Sequence, residues 1–208
     1  MRILAILGWL AIFVGPVSAQ EPKKTAFASG PPVSVTVDPL PAPVPIVIPA
    51  PVKGDYVPEQ LLRMDECQLI DIYKTGSVAP VPSGYTPGLV IYKPGSKLAV
   101  PMSKLMKLTA WQGKYVTCDK MINRQFGVPS IKADIRDGES WIDGGPTLVF
   151  DYYDSSLICK KYRDEVREVS PGIYLGCMHR REKDSVRIAT WFALDARCGK
   201  GCCPSDKK

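Results

Sequence analysis

Residues 141–181 constrain this chain more than any other stretch. They read Trp141-Ile142-Asp143-Gly144-Gly145-Pro146, then Thr147-Leu148-Val149-Phe150-Asp151-Tyr152, and after a gap Arg163 through Gly176. β-Branched and aromatic residues interleave with charged ones, as in strands with two unlike faces. Asp143-Gly144 suits a two-residue hairpin turn whose central residues need positive φ, and Ser170-Pro171-Gly172 suits a second turn. Two consecutive strand–turn–strand units make a meander, and closing a meander into a barrel removes its exposed edges.

The flanking sequence extends the pattern. Leu89-Val90-Ile91-Tyr92, Leu98-Ala99-Val100, residues 107–116, residues 122–127 and residues 131–135 read as further short strands. Residues 186–194 form the last. There Ile188, Thr190, Phe192 and Leu194 share one face while Ala189, Trp191 and Ala193 share the other, so both faces are covered. About eight strands are predicted after Gly76, with no helix between them. The expected fold is mainly β, a small antiparallel meander barrel with a helical segment in front. That segment starts at Pro58, where proline suits a first turn, and carries Leu61, Leu62, Met64, Leu69, Ile72 and Tyr73 near helical spacing. It predicts one helix, or two short ones bent near Cys67, packed on the sheet and ended by Gly76.

Both ends differ from this core. Arg2, the apolar run 3–14, the Gly15-Pro16 break and Val17-Ser18-Ala19 read as a signal peptide cleaved before Gln20. The run is short for a bilayer span, and no later one approaches the required ~20 residues. Export to a periplasm, cell envelope or extracellular space is expected. Residues 20–57 are dense in proline, which excludes helix and interior strand and predicts an extended, disordered spacer. Its prolines follow no sustained P-x-x-P register. The expected organisation is a signal peptide at 1–19, the spacer at 20–57, the helix-plus-barrel domain at 58–197 and a Cys/Lys tail at 198–208. The net charge of +6 is dispersed, so a nucleic-acid partner is not expected.

Four motifs carry a resemblance. W-Q-G-K at 111–114, N-R-x-F-G at 123–127, S-W-x-D-G-x-P-x-L-x-x-D-Y at 140–152 and R-D-E-x-R-E-V-x-P-G-x-Y-L-G at 163–176 resemble a family of exported bacterial proteins of unknown function. More loosely, Trp111-Gln112-Gly113 and the meander are similar to lipocalin-like (calycin) barrels, which commonly hold small apolar ligands. Thr109 stands where such barrels usually carry glycine.

Seven cysteines in an exported chain predict at least one disulfide, and the odd number leaves one thiol free or paired between chains. Cys198, Cys202 and Cys203 supply three tail thiols where a structural zinc site wants four ligands, so no metal is expected. The single histidine, His179, has Arg180 and Arg181 beside it and reads as an ordinary surface or strand-end residue. No nucleophile-elbow, zinc-protease, P-loop or dinucleotide motif is present, so no cofactor is expected and a non-enzyme is preferred.

The charged strand remains. If residues 163–169 are extended, Arg163, Glu165 and Arg167 share one face and Asp164, Val166 and Glu168 the other. A two-residue Pro171-Gly172 turn would set Arg167 opposite Gly176 and Glu165 opposite Met178, with space for the Arg167 guanidinium above the glycine beside Tyr174. An internal carboxylate, Glu165 or Asp151, would then meet Arg167. One reading is an ion-pair ladder that holds strand register. The other is a polar end to an apolar pocket, with Trp111, Trp141, Asp151, Tyr152, Glu165, Arg167 and Tyr174 as binding residues for a small apolar or anionic ligand. The expected function is an exported, non-catalytic small-molecule or lipid-binding barrel. The alternatives are a lumen-site enzyme using Glu, Tyr and Arg, or a structural interaction protein of the envelope.

Overall fold

The computed structural model describes residues 54–197. The expected signal peptide, nearly all of the spacer and the tail lie outside them. Eight strands are present: β1 Gly84–Ile91, β2 Trp111–Val116, β3 Lys120–Gln125, β4 Val128–Glu139, β5 Pro146–Asp151, β6 Tyr162–Ser170, β7 Ile173–Arg181 and β8 Val186–Asp195. Each is antiparallel to the next, and β8 returns to pair with β1, closing the barrel. The fold is thus the small antiparallel meander barrel expected.

The segment ahead of the barrel forms two short helices, α1 Pro58–Leu61 and α2 Glu66–Thr75. They break because Asp65 is extended and caps α2, its carboxylate accepting from the Gln68 backbone N–H while the Gln68 side chain takes the Asp65 N–H. Leu61, Leu62, Leu69 and Tyr73 then pack outside the barrel on Val169, Ile173, Leu175, Cys177, Trp191 and Ala193. The barrel therefore has two cores, one in its lumen and one beneath α1 and α2.

A third helix, α3 Ala99–Thr109, lies between β1 and β2, where no helix was expected. Residues 98–100 are not a strand, and β2 starts only at Trp111. Buried Ala99, Ser103 and Met106 follow the four-then-three helical spacing, and Pro101 sits in the first turn, where its missing N–H costs nothing.

Turn lengths correct the expected registers. Glu139 pairs with Pro146, so residues 140–145 form a six-residue loop rather than a tight Asp143-Gly144 turn. Ser170 does pair with Ile173 across Pro171-Gly172, with Gly172 at a φ of 72°. However, a bulge between Glu168 and Ser170 sets Arg167 opposite Leu175 and Glu165 opposite Cys177, one residue away from the plain count. A second irregularity pairs Ile188 with His179 and Thr190 with Met178. Ile188 consequently joins the outer core instead of sharing the lumen face with Phe192.

Candidate functional site

β6 is buried along nearly its whole length, so its alternating side chains feed two polar clusters on opposite sides of the wall. Lys114 on β2 donates from Nζ to Asp164 Oδ2 at 2.8 Å, Asn123 Oδ1 at 2.9 Å and Tyr152 Oη at 3.2 Å. β2 and β6 are four strands apart in a closed barrel, so this bond runs through the lumen. Tyr152 Oη also donates to Asp164 Oδ2 at 2.7 Å, and Trp111 Nε1 donates to Asn123 Oδ1 at 2.9 Å. The rings of Phe192, Phe150, Trp111 and Tyr152 surround the ammonium at 5.0–5.9 Å. Burial pulls the Lys114 pKa down, and the Asp164 carboxylate opposes it. Burial and the Asp164 charge together push the Tyr152 phenol well above its usual range, so it stays a donor.

Two lumen atoms remain unpaired. Asp164 Oδ1 and Thr86 Oγ1 are buried without a hydrogen-bond partner among the described residues. Aromatic rings close over two of the lumen glycines. The Phe192 ring lies where a Cβ on Gly176 would project, and the Trp111 ring does the same over Gly88.

The outer cluster centres on Glu165, which is fully buried. Its carboxylate accepts from Ser140 Oγ at 2.6 Å, the Trp141 backbone N–H at 2.9 Å and Tyr73 Oη at 3.4 Å. Arg163 Nη2 stands 3.2 Å from Oε1 and His179 Nε2 3.3 Å from Oε2. Burial works to raise the Glu165 pKa, but the bonds from His179, Ser140 and Trp141 outweigh it and hold the acid below its ordinary value. Cys177 Sγ lies 3.2 Å from the same His179 nitrogen. Burial and the Glu165 charge drive that thiol well above its usual pKa.

This is not a Cys-His nucleophile. A working pair gives one imidazole nitrogen to the thiol and the other to the acid. Here a single nitrogen faces both, and burial favours the neutral thiol. Trp141, 40% exposed, covers the cluster, its ring meeting His179 edge-on and the Arg163 guanidinium at 4.2 Å. Beside it, Arg167 grips Asp143 through two bonds of 2.8 Å, donates to the Pro146 carbonyl at 2.9 Å and stacks on Tyr73. Burial opposes ionisation of Asp143, yet the Arg167 and Gly145 hydrogen bonds keep its pKa below the usual value.

The seven residues expected to share a pocket are split by the barrel wall. Trp111, Tyr152 and Tyr174 face the lumen, where Tyr174 Oη donates to the Pro80 carbonyl at 3.0 Å. Trp141, Asp151, Glu165 and Arg167 lie outside. Asp151 is clamped by Arg136 and Arg181, each at 2.9 Å, and its chain neighbour Tyr152 points the other way. Arg167 meets Asp143 rather than Glu165 or Asp151, and the space above Gly176 belongs to Phe192. His179 is buried, not at the surface.

Sequence reasoning passed over Lys114, Asn123, Asp164 and Thr86 in the lumen, and Tyr73, Ser140 and Cys177 outside. One signal was available: Cys177 and His179 are two apart on a predicted strand and so share a face. Glu165, Cys177 and His179 now bring a carboxylate, a thiol and an imidazole to within 4.8 Å of one another.

No protein-family model matches the sequence, and no curated protein matches it significantly. The fold is similar to a solved structure titled "Crystal structure of protein from Thermomonospora curvata", at 16% identity and a TM-score of 0.43, covering 65% of this chain and 89% of that one. That title states no activity.

Proposed function

We propose that this chain is an exported, non-catalytic binding protein whose barrel lumen takes a small molecule at the polar anchor made by Lys114, Asn123, Tyr152 and Asp164. The observation that carries this reading is Asp164 Oδ1, a buried carboxylate oxygen with no partner among the described residues. An unpaired buried polar atom costs about 1–3 kcal/mol, and a hydroxyl or amine donated by a ligand would recover it. Lys114 and Asp164 offset each other in charge, so the anchor suits a neutral, donor-bearing molecule better than an anion. Trp111, Phe150 and Phe192 would cover the apolar remainder of the ligand. The lipocalin-like resemblance of the sequence points the same way.

Export rests on the apolar run 3–14 and the Val17-Ser18-Ala19 site. Disulfide chemistry would fall to Cys118 and the three tail cysteines. Cys67, Cys159 and Cys177 are free thiols, and Cys118 has a partner of its own.

A second reading, a structural interaction protein, is favoured by the rings packed over Gly176 and Gly88, which fill the lumen with the protein's own side chains. Mass spectrometry of protein purified from its native envelope separates the two. A native spectrum heavier than the denatured one by a discrete small molecule supports binding. A bare native mass would sink that proposal in favour of the structural one. The denatured spectrum should also show a chain beginning at Gln20 and a mass lowered by the hydrogens lost in each disulfide.

A further inference from the structure

We propose that Glu165, Cys177 and His179 form a binding site for one divalent transition-metal ion, with zinc the best match, on the outer wall of the barrel beneath the 140–145 loop. This inference does not depend on what the lumen binds. Cys177 and His179 sit two apart on β7, and Glu165 on β6 pairs directly with Cys177. Strand register alone brings the three donors together, and a site built on paired strands is stiffer than one built on loops.

The spacing fits a tetrahedral ion. Zinc bonds of about 2.3 Å to sulfur and about 2.0–2.1 Å to nitrogen and oxygen place neighbouring ligand atoms roughly 3.3–3.6 Å apart. The Sγ to Nε2 separation is 3.2 Å and the Nε2 to Oε2 separation is 3.3 Å, and all three donor atoms lie within 4.8 Å of one another, so the thiol and the carboxylate are the pair that would draw together around the ion.

The hydrogen-bond pattern favours a cation at the same point. His179 Nε2 faces both the thiol and the carboxylate. If Nε2 carries a proton and donates to Glu165, the Cys177 S–H is left with only the long contact to the Glu165 carbonyl at 4.0 Å. If it accepts from Cys177, it has nothing to give Glu165. A metal ion satisfies both contacts at once.

Charge and softness point the same way. Thiolate, carboxylate and neutral imidazole together supply the two negative charges that offset a divalent cation. Thiolate and imidazole donors select zinc and its neighbours over magnesium or calcium. The surroundings supply outer support: Arg163 holds the second carboxylate oxygen and the Trp141 N–H fixes its plane. Ser140 Oγ donates to Oε2 at 2.6 Å, so an ion held by Glu165 would be tied to the 140–145 loop.

The test uses the full chain with Cys118 and the tail cysteines removed as competing ligands (Cys118→Ser, Cys198→Ser, Cys202→Ser, Cys203→Ser), refolded with cobalt(II) or zinc(II) because the site is closed in the folded state. One cobalt per chain is expected, with intense tetrahedral visible bands and a thiolate-to-cobalt charge-transfer band. Cys177→Ser should remove the charge-transfer band, and His179→Gln should weaken binding at least tenfold. Because those variants risk misfolding, X-ray absorption of the zinc-loaded parent variant provides an independent reading. A single sulfur with nitrogen and oxygen neighbours supports the site. No retained metal, two or more sulfurs, or a charge-transfer band that survives Cys177→Ser would overturn it.

Discussion

Asp164 and Glu165 follow one another along β6, and side-chain alternation sends one carboxylate into the barrel and the other beneath α2. Both are buried, yet they are treated differently. The inner acid is bound on one oxygen by Lys114 and Tyr152 and leaves the other without a partner. The outer acid has donors on both oxygens, contributed by α2, the 140–145 loop, β6 and β7. A carboxylate met from every side acts as a fastening between elements. A carboxylate met from one side holds a charge in place and keeps hydrogen-bonding capacity in reserve. The contrast leaves hydrogen-bonding capacity for a small molecule inside the barrel and the fastening of elements outside it.

The largest expected effect comes from breaking the inner pair. Lys114→Met leaves Asp164 buried with Tyr152 as its only donor, and removing one partner of a buried ion pair typically costs about 3–5 kcal/mol. Replacing both, as Lys114→Met with Asp164→Leu, removes the stranded charge and should recover most of that loss. Denaturant melts of the wild type and both variants measure it. A loss under about 1 kcal/mol in the single variant would mean that water reaches Asp164, and the contrast between the two faces would collapse.

A smaller effect is expected outside, because the acid stranded there can reach solvent. Arg167→Leu removes two bonds to Asp143, one to the Pro146 carbonyl and two longer ones to the Tyr73 and Lys74 carbonyls of α2, but Asp143 is 21% exposed. The expected loss is about 1–3 kcal/mol, the range for hydrogen bonds to charged groups. The pH dependence sharpens this. Asp143 and Glu165 both have folded pKa values below their ordinary ones. Their contribution is therefore present above the unfolded values of about 4 and is lost as pH falls through the depressed folded values. Wild-type stability should drop below about pH 4, and Arg167→Leu should drop less steeply because Asp143 has lost the bonds that depress it. Equal slopes in pH-dependent melts would show that Arg167 does not govern Asp143.

Much of this architecture was legible in the residues. The antiparallel meander barrel, the Pro171-Gly172 turn and the split of residues 163–167 into alternate faces all follow from period-two patterning and turn chemistry, which are local. The fastening of Glu165 was not legible, because it depends on parity. The bulge at Glu168 to Ser170 moves each pair by one, placing Cys177 rather than Met178 beside Glu165 and sending Arg167 away from Gly176. Helix α3 was hidden because Leu98-Ala99-Val100 is too short an apolar run to distinguish strand from helix. Lys114 was read only as part of a motif. A lysine buried among aromatic rings becomes intelligible once Asp164 is known to lie across the lumen, a contact fifty residues away in sequence.

The smallest expected effect discriminates best between the two uses of the lumen. Thr86 is fully buried on β1, in register with Lys114 on β2, and its hydroxyl has no partner. Valine has nearly the same shape, suits a strand and lacks the hydroxyl. If the lumen serves only as a packed core, Thr86→Val removes an uncompensated polar atom, and stability should rise by up to about 1 kcal/mol. If the lumen binds a donor-bearing molecule, the hydroxyl has a use in the complex. The same substitution should then stabilise the ligand-free protein while reducing the fraction that purifies with its small molecule. The two measurements, a melt of stripped protein and a native mass of freshly purified protein, must be read together. A rise in stability with no change in bound mass assigns Thr86 to packing alone. A loss of stability in the stripped protein would mean that its hydroxyl is already satisfied from within the lumen, and that the unpaired atoms there do not mark a binding site.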